Sequence, residues 1–246
     1  MGLAVGWAAC AQSFEVATVR PEDPEFKGRY IRMQSANRFQ ARKYTVKGLI
    51  GAAYNLHPDA ILGAPVWAES EGFEIVAQTP GAVKPTLDEQ MAMLRKLLAD
   101  RFGLAFRREQ KELTVYALTV AKSGPKLRDA AGPSDAQPEL VSTVFPGRLV
   151  MPARNATMQQ FASVLQRAIL DRSVLDRTGL TWRYDFDLEW TADETQFGGV
   201  PLPPGPDPPK PDLFAAMQQQ LGLRLERTRG MVSVLVVERV GRPTGN

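Results

Sequence analysis

The 246-residue chain has very few of the side chains that build metal centres and disulfide frameworks. Cys10 is its only cysteine and His57 its only histidine. One cysteine cannot form an internal disulfide, and one histidine without cysteine partners is a poor zinc ligand set. We interpret His57, which precedes a proline just past a predicted helix, as a helix-end residue. We therefore expect no metal site.

Phosphate loops, nucleophile motifs and membrane spans are missing as well. Segments 63–65 and 103–105 contain a glycine but lack the further glycines and following helix of a phosphate loop. No nucleophile elbow is present. No apolar run reaches the roughly 18 residues of a membrane span. We expect no cofactor, no catalytic residue and no transmembrane segment in the mature chain.

Neither sign of charge dominates the chain. Lys and Arg total 30 against 27 Asp and Glu, a net charge of +3, and the positive charges are scattered. A nucleic-acid binder usually carries a denser basic stripe, so nucleic acid is not an expected partner. The 44% share of hydrophobic residues can bury one large core or two small ones.

The first residues are small and apolar, and no lysine or arginine occurs before Arg20. They match the apolar region and small-residue cleavage site of a secretory signal, without its basic start. We interpret residues 1–13 as a leader remnant and expect a periplasmic or secreted protein. A first buried strand or a frayed terminus is the alternative, and Cys10 is either cleaved off or lipid-modified.

The second half of the chain repeats the first. A shift of 119 residues carries 98–106 onto 217–225 and 115–120 onto 234–239. Each copy is typical of a helix, a glycine stop, an apolar strand, a polar turn and a second apolar strand. A fixed internal period indicates a duplicated unit.

These patterns predict an α+β fold of two similar halves. Each half is expected to form a small, mostly antiparallel sheet with two helices packed on one face. The predicted organisation is a first repeat at 14–122, a linker at 123–139, a second repeat at 140–240 and a tail at 241–246. A proline-rich segment at 200–211 favours an extended, solvated loop.

Local signals predict most element boundaries. Thr45, Thr157 and Asp212 are predicted to cap helices, and Thr86 with Glu89 forms a capping box. Hairpins are expected at 29–41, across the 146–147 turn, and between 104–107 and 113–121.

Three alternating carboxylates are the main candidates for chemistry. Asp185, Asp187 and Glu189 project from one face of a predicted strand at 184–190. Such a row can bind a hard cation or supply an acid and base pair. It is also the pattern of any strand with one solvated face, which we consider the simpler interpretation.

Arg101 and Arg177 share an Asp-Arg-x-Gly-Leu context. An arginine there can clamp a carboxylate ligand. Both positions are predicted helix ends, where a basic residue and a following glycine also terminate a helix.

Six short segments, taken in their order along the chain, carry a resemblance to a known family. Their residue ranges are 14–21, 98–102, 115–118, 124–127, 174–180 and 184–186. With them the chain resembles a large family of secreted proteins of unknown function from soil bacteria. The resemblance implies export and, for some members, fusion or proximity to membrane-bound sensor peptidases of the antibiotic-response type. It implies no catalytic residue. More distantly, the repeated unit is similar to the small domains that precede bacterial secretins and TonB receptors and bind partner proteins.

We therefore expect a non-catalytic extracytoplasmic module that binds an envelope protein or peptide, with a link to envelope sensing. The alternatives are a hydrolase that uses the carboxylates of 185–189 and a purely structural cell-surface protein.

Overall fold

The computed structural model describes residues 13–26, 28–133, 136–193, 196 and 210–243. Within them the chain forms two compact units. The first runs to Glu109 and adds the segment from Val234 onward, and the second is Gln110–Ser233. Residues 1–12 and 201–209, where most of the leader and of the proline-rich loop are predicted, lie outside the described residues.

The first unit alternates strands and helices. Its strands are β1 (Val16–Pro21), β2 (Tyr30–Met33), β3 (Arg38–Thr45), β4 (Ile61–Leu62) and β5 (Gly72–Gln78). Its helices are α1 (Val46–Tyr54), α2 (Val66–Ser70) and α3 (Leu87–Phe102), with a 3-10 turn at Pro58–Ala60. Strands β1, β5, β3 and β2, in that order, form an antiparallel sheet.

One face of this sheet is buried under helices. Phe73, Ile75 and Ala77 alternate along β5 as buried residues, and side chains of α1 and α3 pack in the same cluster. The predicted caps are confirmed: Thr45 accepts the Gly48 N–H, and the box at the start of α3 is complete. Gly103 ends α3 in the left-handed conformation that glycine favours.

The second unit follows the same principle. Two long strands, β6 (Ala105–Val120) and β13 (Leu223–Arg239), contribute residues to both units. The other strands are β7 (Arg128–Asp129), β8 (Glu139–Leu140), β9 (Thr143–Phe145), β10 (Arg148–Ala156), β11 (Val174–Asp176) and β12 (Tyr184–Trp190). Helix α4 (Met158–Val164) continues as a π-helical turn at Leu165–Ile169, and α5 (Leu213–Ala216) as one at Met217–Leu221.

Strands β7, β12, β10 and β8, in that order, form the antiparallel sheet of the second unit, and β9 also pairs with β10. Leu149 and Met151 of β10 and Leu188 and Trp190 of β12 are buried in one cluster with Phe161 of α4. The α+β class is therefore confirmed.

The hairpin predicted between 104–107 and 113–121 is wrong. Residues Ala105–Val120 form one continuous strand. The intervening Arg108–Glu112 contains no glycine, proline or asparagine, so nothing favours a reversal of the chain. In the second copy, the expected polar turn before Met231 is likewise part of β13.

Gly230, within this second segment, lies at a closely packed position of the strand. A Cβ atom built on Gly230 lies 2.6 Å from Leu175 Cδ1 and 3.2 Å from Val115 Cγ2. The glycine therefore allows close packing within the second unit, and it is not a turn residue.

The compact units do not follow the predicted linker. Residues 123–133 and 136–139 belong to the second unit, and the chain changes unit inside β6 and inside β13. In the first unit Ile61 and Leu62 pair in parallel with Leu235 and Val236 of β13. In the second unit β11 pairs in parallel with 116–118 of β6.

Candidate functional site

The three carboxylates of β12 lie together on the outer face of its sheet. The residues between and beside them (Tyr184, Phe186, Leu188 and Trp190) are all buried, so the predicted alternation is confirmed. Asp185, Asp187 and Glu189 therefore share the face that points away from the core.

Basic and backbone groups pair with every one of these carboxylates. Asp187 Oδ1 lies 2.8 Å from Arg154 Nη2. Glu189 Oε2 lies 3.2 Å from Lys210 Nζ, and Arg148 pairs with the other oxygen. Asp185 Oδ1 accepts the Asn155 N–H at 2.8 Å. Two carboxylates of the row are thus ion-paired, and the third holds a main-chain N–H.

The pKa of Glu189 has the wrong direction for a general acid. Burial raises the pKa of Glu189, but hydrogen bonds and charges from Lys210 and Arg148 outweigh that effect and lower it. A catalytic acid needs a raised pKa to hold its proton near neutral pH. Among the described residues, no group of three or more His, Cys, Asp or Glu side chains is arranged to hold a metal ion.

The two arginines predicted as ligand candidates occupy different kinds of position and make different hydrogen bonds. Arg101 lies in the last turn of α3, and its Nη1 donates to the Ala17 carbonyl of β1 at 3.0 Å. Arg177 does not end a helix, which corrects that prediction: it follows β11, and its N–H donates to the Leu118 carbonyl at 2.9 Å. The segment before Arg177 is a strand because Val174 and Leu175 pair in parallel with Tyr116 and Ala117 of β6.

His57 lies beyond the end of α1, which stops at Tyr54, and it begins the next 3-10 turn instead of ending the helix. It is buried, and its Nδ1 accepts the Asp59 N–H at 3.2 Å at the start of the 3-10 turn.

A polar cluster on the first sheet was not predicted. Arg42 Nη2 lies 2.6 Å from Glu22 Oε1, and Glu22 Oε2 also accepts the Lys43 N–H at 2.7 Å. Lys43 has φ 55° inside a β-bulge between Ala41 and Tyr44, so the carboxylate holds a strained backbone position. Glu22 lies in a charged loop, and no local pattern indicates its partner.

Replacing Glu22 by glutamine is expected to lower the melting temperature at pH 7 more than at acid pH. The hydrogen bond from Arg42 lowers the pKa of Glu22 against the opposing effect of burial, and the Lys43 N–H adds to the lowering. A lowered folded-state pKa stabilises the fold above the unfolded value of about 4.3, and this is lost as the pH falls through the folded value. Thermal unfolding of both proteins between pH 7 and about pH 2 measures the difference.

Glu112→Gln is the matched control for this experiment. Glu112 pairs with Arg229 at 2.9 Å, but both side chains are more than half exposed. Exposed pairs contribute little to stability. A deficit for Glu22→Gln that stays constant over this pH range would contradict the assignment.

The described residues also include an exposed apolar sheet edge. Strands β8 and β9 pair with β10 on one side, and no other described strand pairs with them. Val141, Val144 and Phe145 along this edge are 69%, 50% and 40% exposed. An exposed apolar edge is the arrangement that natural sheets usually avoid unless a further strand is added.

The comparisons with known proteins identify the family of this α+β chain. Residues 47–240 match the family described as "Protein of unknown function (DUF3738)", and the chain belongs to that family. This confirms the expectation of a family without an assigned function. Neither a curated protein nor a solved structure matches the chain. No helix among the described residues is long and apolar enough to span a membrane.

Proposed function

We propose that this protein is a non-catalytic extracytoplasmic module that binds an extended peptide segment of an envelope protein. The observation that carries the proposal is the apolar edge formed by β8 and β9. A sheet edge binds a partner through main-chain hydrogen bonds, and alternate side chains give the selectivity.

The geometry of β9 supports strand addition. Phe145 and Arg148 flank the two-residue turn at 146–147, so these two residues form a hydrogen-bonded pair. The next pair, Val144 and Leu149, is then of the other kind, and the Val144 N–H and carbonyl point away from β10. An added strand would bond to these groups.

The side chains at this edge favour an apolar partner strand. Val144 lies opposite the buried Leu149, on the core face of the sheet. Phe145 lies on the other face, where the Arg148 guanidinium stacks over its ring at 5.3 Å. An incoming strand with alternating apolar residues would cover Val144 and extend the core by one strand.

The β1 edge of the first unit's sheet is protected, in contrast to the β8–β9 edge of the second unit's sheet. Arg101 covers the Ala17 carbonyl, and Pro21 has no N–H to offer. Both devices are typical of edges that are kept free of partners.

The chain is expected to bind a labelled peptide of alternating threonine and valine, and Val144→Pro is expected to weaken binding by about tenfold or more. Proline removes the outward N–H and fits an edge strand. Fluorescence anisotropy with the eight-residue peptide, and with the same peptide carrying two central prolines, measures this.

Val83→Pro is the control, because Val83 is 83% exposed and lies outside the strands of the first unit. Val144→Lys keeps the N–H and should show a smaller loss, which separates backbone from side-chain contributions. Equal binding by Val144→Pro and wild type, or no saturable binding of the peptide, would contradict the proposal.

Export and the wider scope of the family are part of the same proposal. The apolar start of the sequence and the resemblance to secreted soil-bacterial proteins support an extracytoplasmic location and a link to envelope sensing. Fractionation of cells that express the complete gene with a C-terminal tag tests the location, and a tag found only in the cytoplasm would refute it.

We also propose that the two sequence halves are copies of one unit. Both contain a bulged strand with a left-handed residue, Lys43 in β3 and Asn155 in β10, 112 residues apart. In each bulge a carboxylate accepts the N–H of that residue. A threonine two residues later caps the following helix in both.

The parallel strand pairs add a reciprocal relation. In the first unit, β4 of the first half pairs with β13 of the second half. In the second unit, β11 of the second half pairs with β6 of the first half. Duplicated halves that exchange their last strands, β6 and β13, account for both parallel pairs. The same exchange accounts for the difference between the compact units and the sequence repeats.

A further inference from the structure

A groove of about 450 Å³ lies on the sheet of the first unit. Its base is formed by Val76 and Gln78 of β5, and β1 contributes Val16 and Thr18. The other side is closed by Ser35 and Asn37 of the loop between β2 and β3, and by Arg38 at the start of β3. The volume falls in the range of small-ligand sites, roughly 300–1,000 Å³.

Arg38 gives this groove a positive charge without a compensating carboxylate. No acidic side chain among the described residues lies within 4 Å of its guanidinium. Glu22 and Glu74, farther along the same sheet, are both paired with Arg42, at 2.6 and 3.4 Å. An unpaired guanidinium suits a planar oxyanion, which it can bind through two parallel hydrogen bonds.

Backbone hydrogen bonds hold the polar wall in place. The Thr79 N–H donates to the Asn37 carbonyl at 2.9 Å, and the Gln34 N–H to the Arg38 carbonyl at 2.7 Å. Ser35 Oγ donates to Asn37 Oδ1 at 3.3 Å, which leaves the Asn37 amide N–H groups for another acceptor. The main chain beside Arg38 is therefore held in place before a ligand arrives, which lowers the entropic cost of binding.

The opposite wall carries an exposed apolar side chain, Val16, beside Thr18. Val16 is 64% exposed, and it lies across β5 from Arg38, since both pair with Gln78. A bare inorganic anion would leave this valine in water, whereas an aliphatic group would cover it and Val76.

From this combination we infer that the groove binds an aliphatic carboxylate. The carboxylate pairs with Arg38, and the aliphatic part covers Val16 and Val76. The source is either a small organic acid or the carboxyl end of a peptide with an apolar last residue. This site lies in the other unit from the β8–β9 edge and stands independently of the proposed function.

Titration calorimetry of the full chain with 4-methylpentanoate and its neutral amide tests the inference. The acid is expected to bind, and the amide to bind at least about tenfold more weakly, because hydrogen bonds to charged groups are the stronger ones. Acetyl-Ala-Val-Val with a free or an amidated end distinguishes the peptide source from the small acid. Inorganic phosphate completes the set.

Arg38→Gln is expected to weaken binding of the acid by about tenfold or more. This loss should match the loss seen when the wild type binds the amide instead of the acid. Arg32→Gln is the matched control: it removes the same charge from the same sheet face, but Arg32 stacks on the Tyr30 ring outside the groove. Circular dichroism confirms that both variants are folded.

Four outcomes would overturn the inference: no binding of either acid at millimolar concentration, equal binding of acid and amide, equal losses in the two arginine variants, or phosphate binding as tightly as the acid. The last outcome would mean that Val16 and Val76 contribute nothing.

Discussion

Replacing Gly222 by alanine is expected to destabilise the protein by at least about 3 kcal/mol, whereas the same change at Gly103 costs about 1 kcal/mol. Both glycines end a helical segment with a left-handed backbone, at φ 63° and 59°. They differ in their surroundings. A Cβ on Gly222 lies 2.0 Å from the Gly124 carbonyl oxygen, and one on Gly103 meets no atom within 4 Å.

The segment that opposes Gly222 cannot easily move aside. The Lys126 N–H donates to the Leu221 carbonyl at 2.8 Å, and the Ala121 N–H to the Gly222 carbonyl at 2.9 Å. Relief of the clash would break these bonds on both sides of Gly124. Gly103→Ala therefore measures the backbone strain alone, and Gly222→Ala measures strain and clash together.

Urea unfolding of the wild type and the two variants, followed by far-ultraviolet circular dichroism, measures both free energies of unfolding. Equal losses for the two variants would contradict the close approach of the 121–126 segment to the end of the last helix.

Trp190→Ala is expected to cost about 3–5 kcal/mol. Trp190 ends β12 and is fully buried in the core of the second unit. Its indole Nε1 donates to Gln196 Oε1 at 2.9 Å, and Gln196 is itself buried. The change therefore creates a cavity and also leaves a buried acceptor without this donor.

Trp182→Ala is the matched control in the same unit. Trp182 is 62% exposed, and its loss is expected to change the free energy of unfolding by less than about 0.5 kcal/mol. Chemical unfolding followed by circular dichroism compares the two variants. A loss below about 1 kcal/mol for Trp190→Ala would place this side chain outside the core.

Local sequence patterns predicted the elements whose signals are local. The capping box of Thr86 and Glu89 begins α3, and the alternating residues 184–190 form β12. Both could be predicted because each signal lies within a few consecutive residues. The turn at 146–147 likewise separates β9 from β10.

Partners distant in sequence could not be predicted in this way. The carboxylates of β12 were predicted on one face, but the Arg128, Arg148, Arg154 and Lys210 side chains that pair with them come from other segments. The same holds for Glu22 and Arg42, 20 residues apart. Whether a carboxylate row is a site or an ion-paired surface is thus decided by tertiary contacts.

The sequence by itself determined the α+β class, the helix caps and the alternation of the strands, because these follow from backbone hydrogen bonding and side-chain periodicity over a few residues. Only the tertiary structure decided that Ala105–Val120 and Leu223–Arg239 are continuous strands. Their polar middles interrupt the apolar pattern, and the pairing of 116–118 and 235–236 with segments distant in sequence is not visible in that pattern.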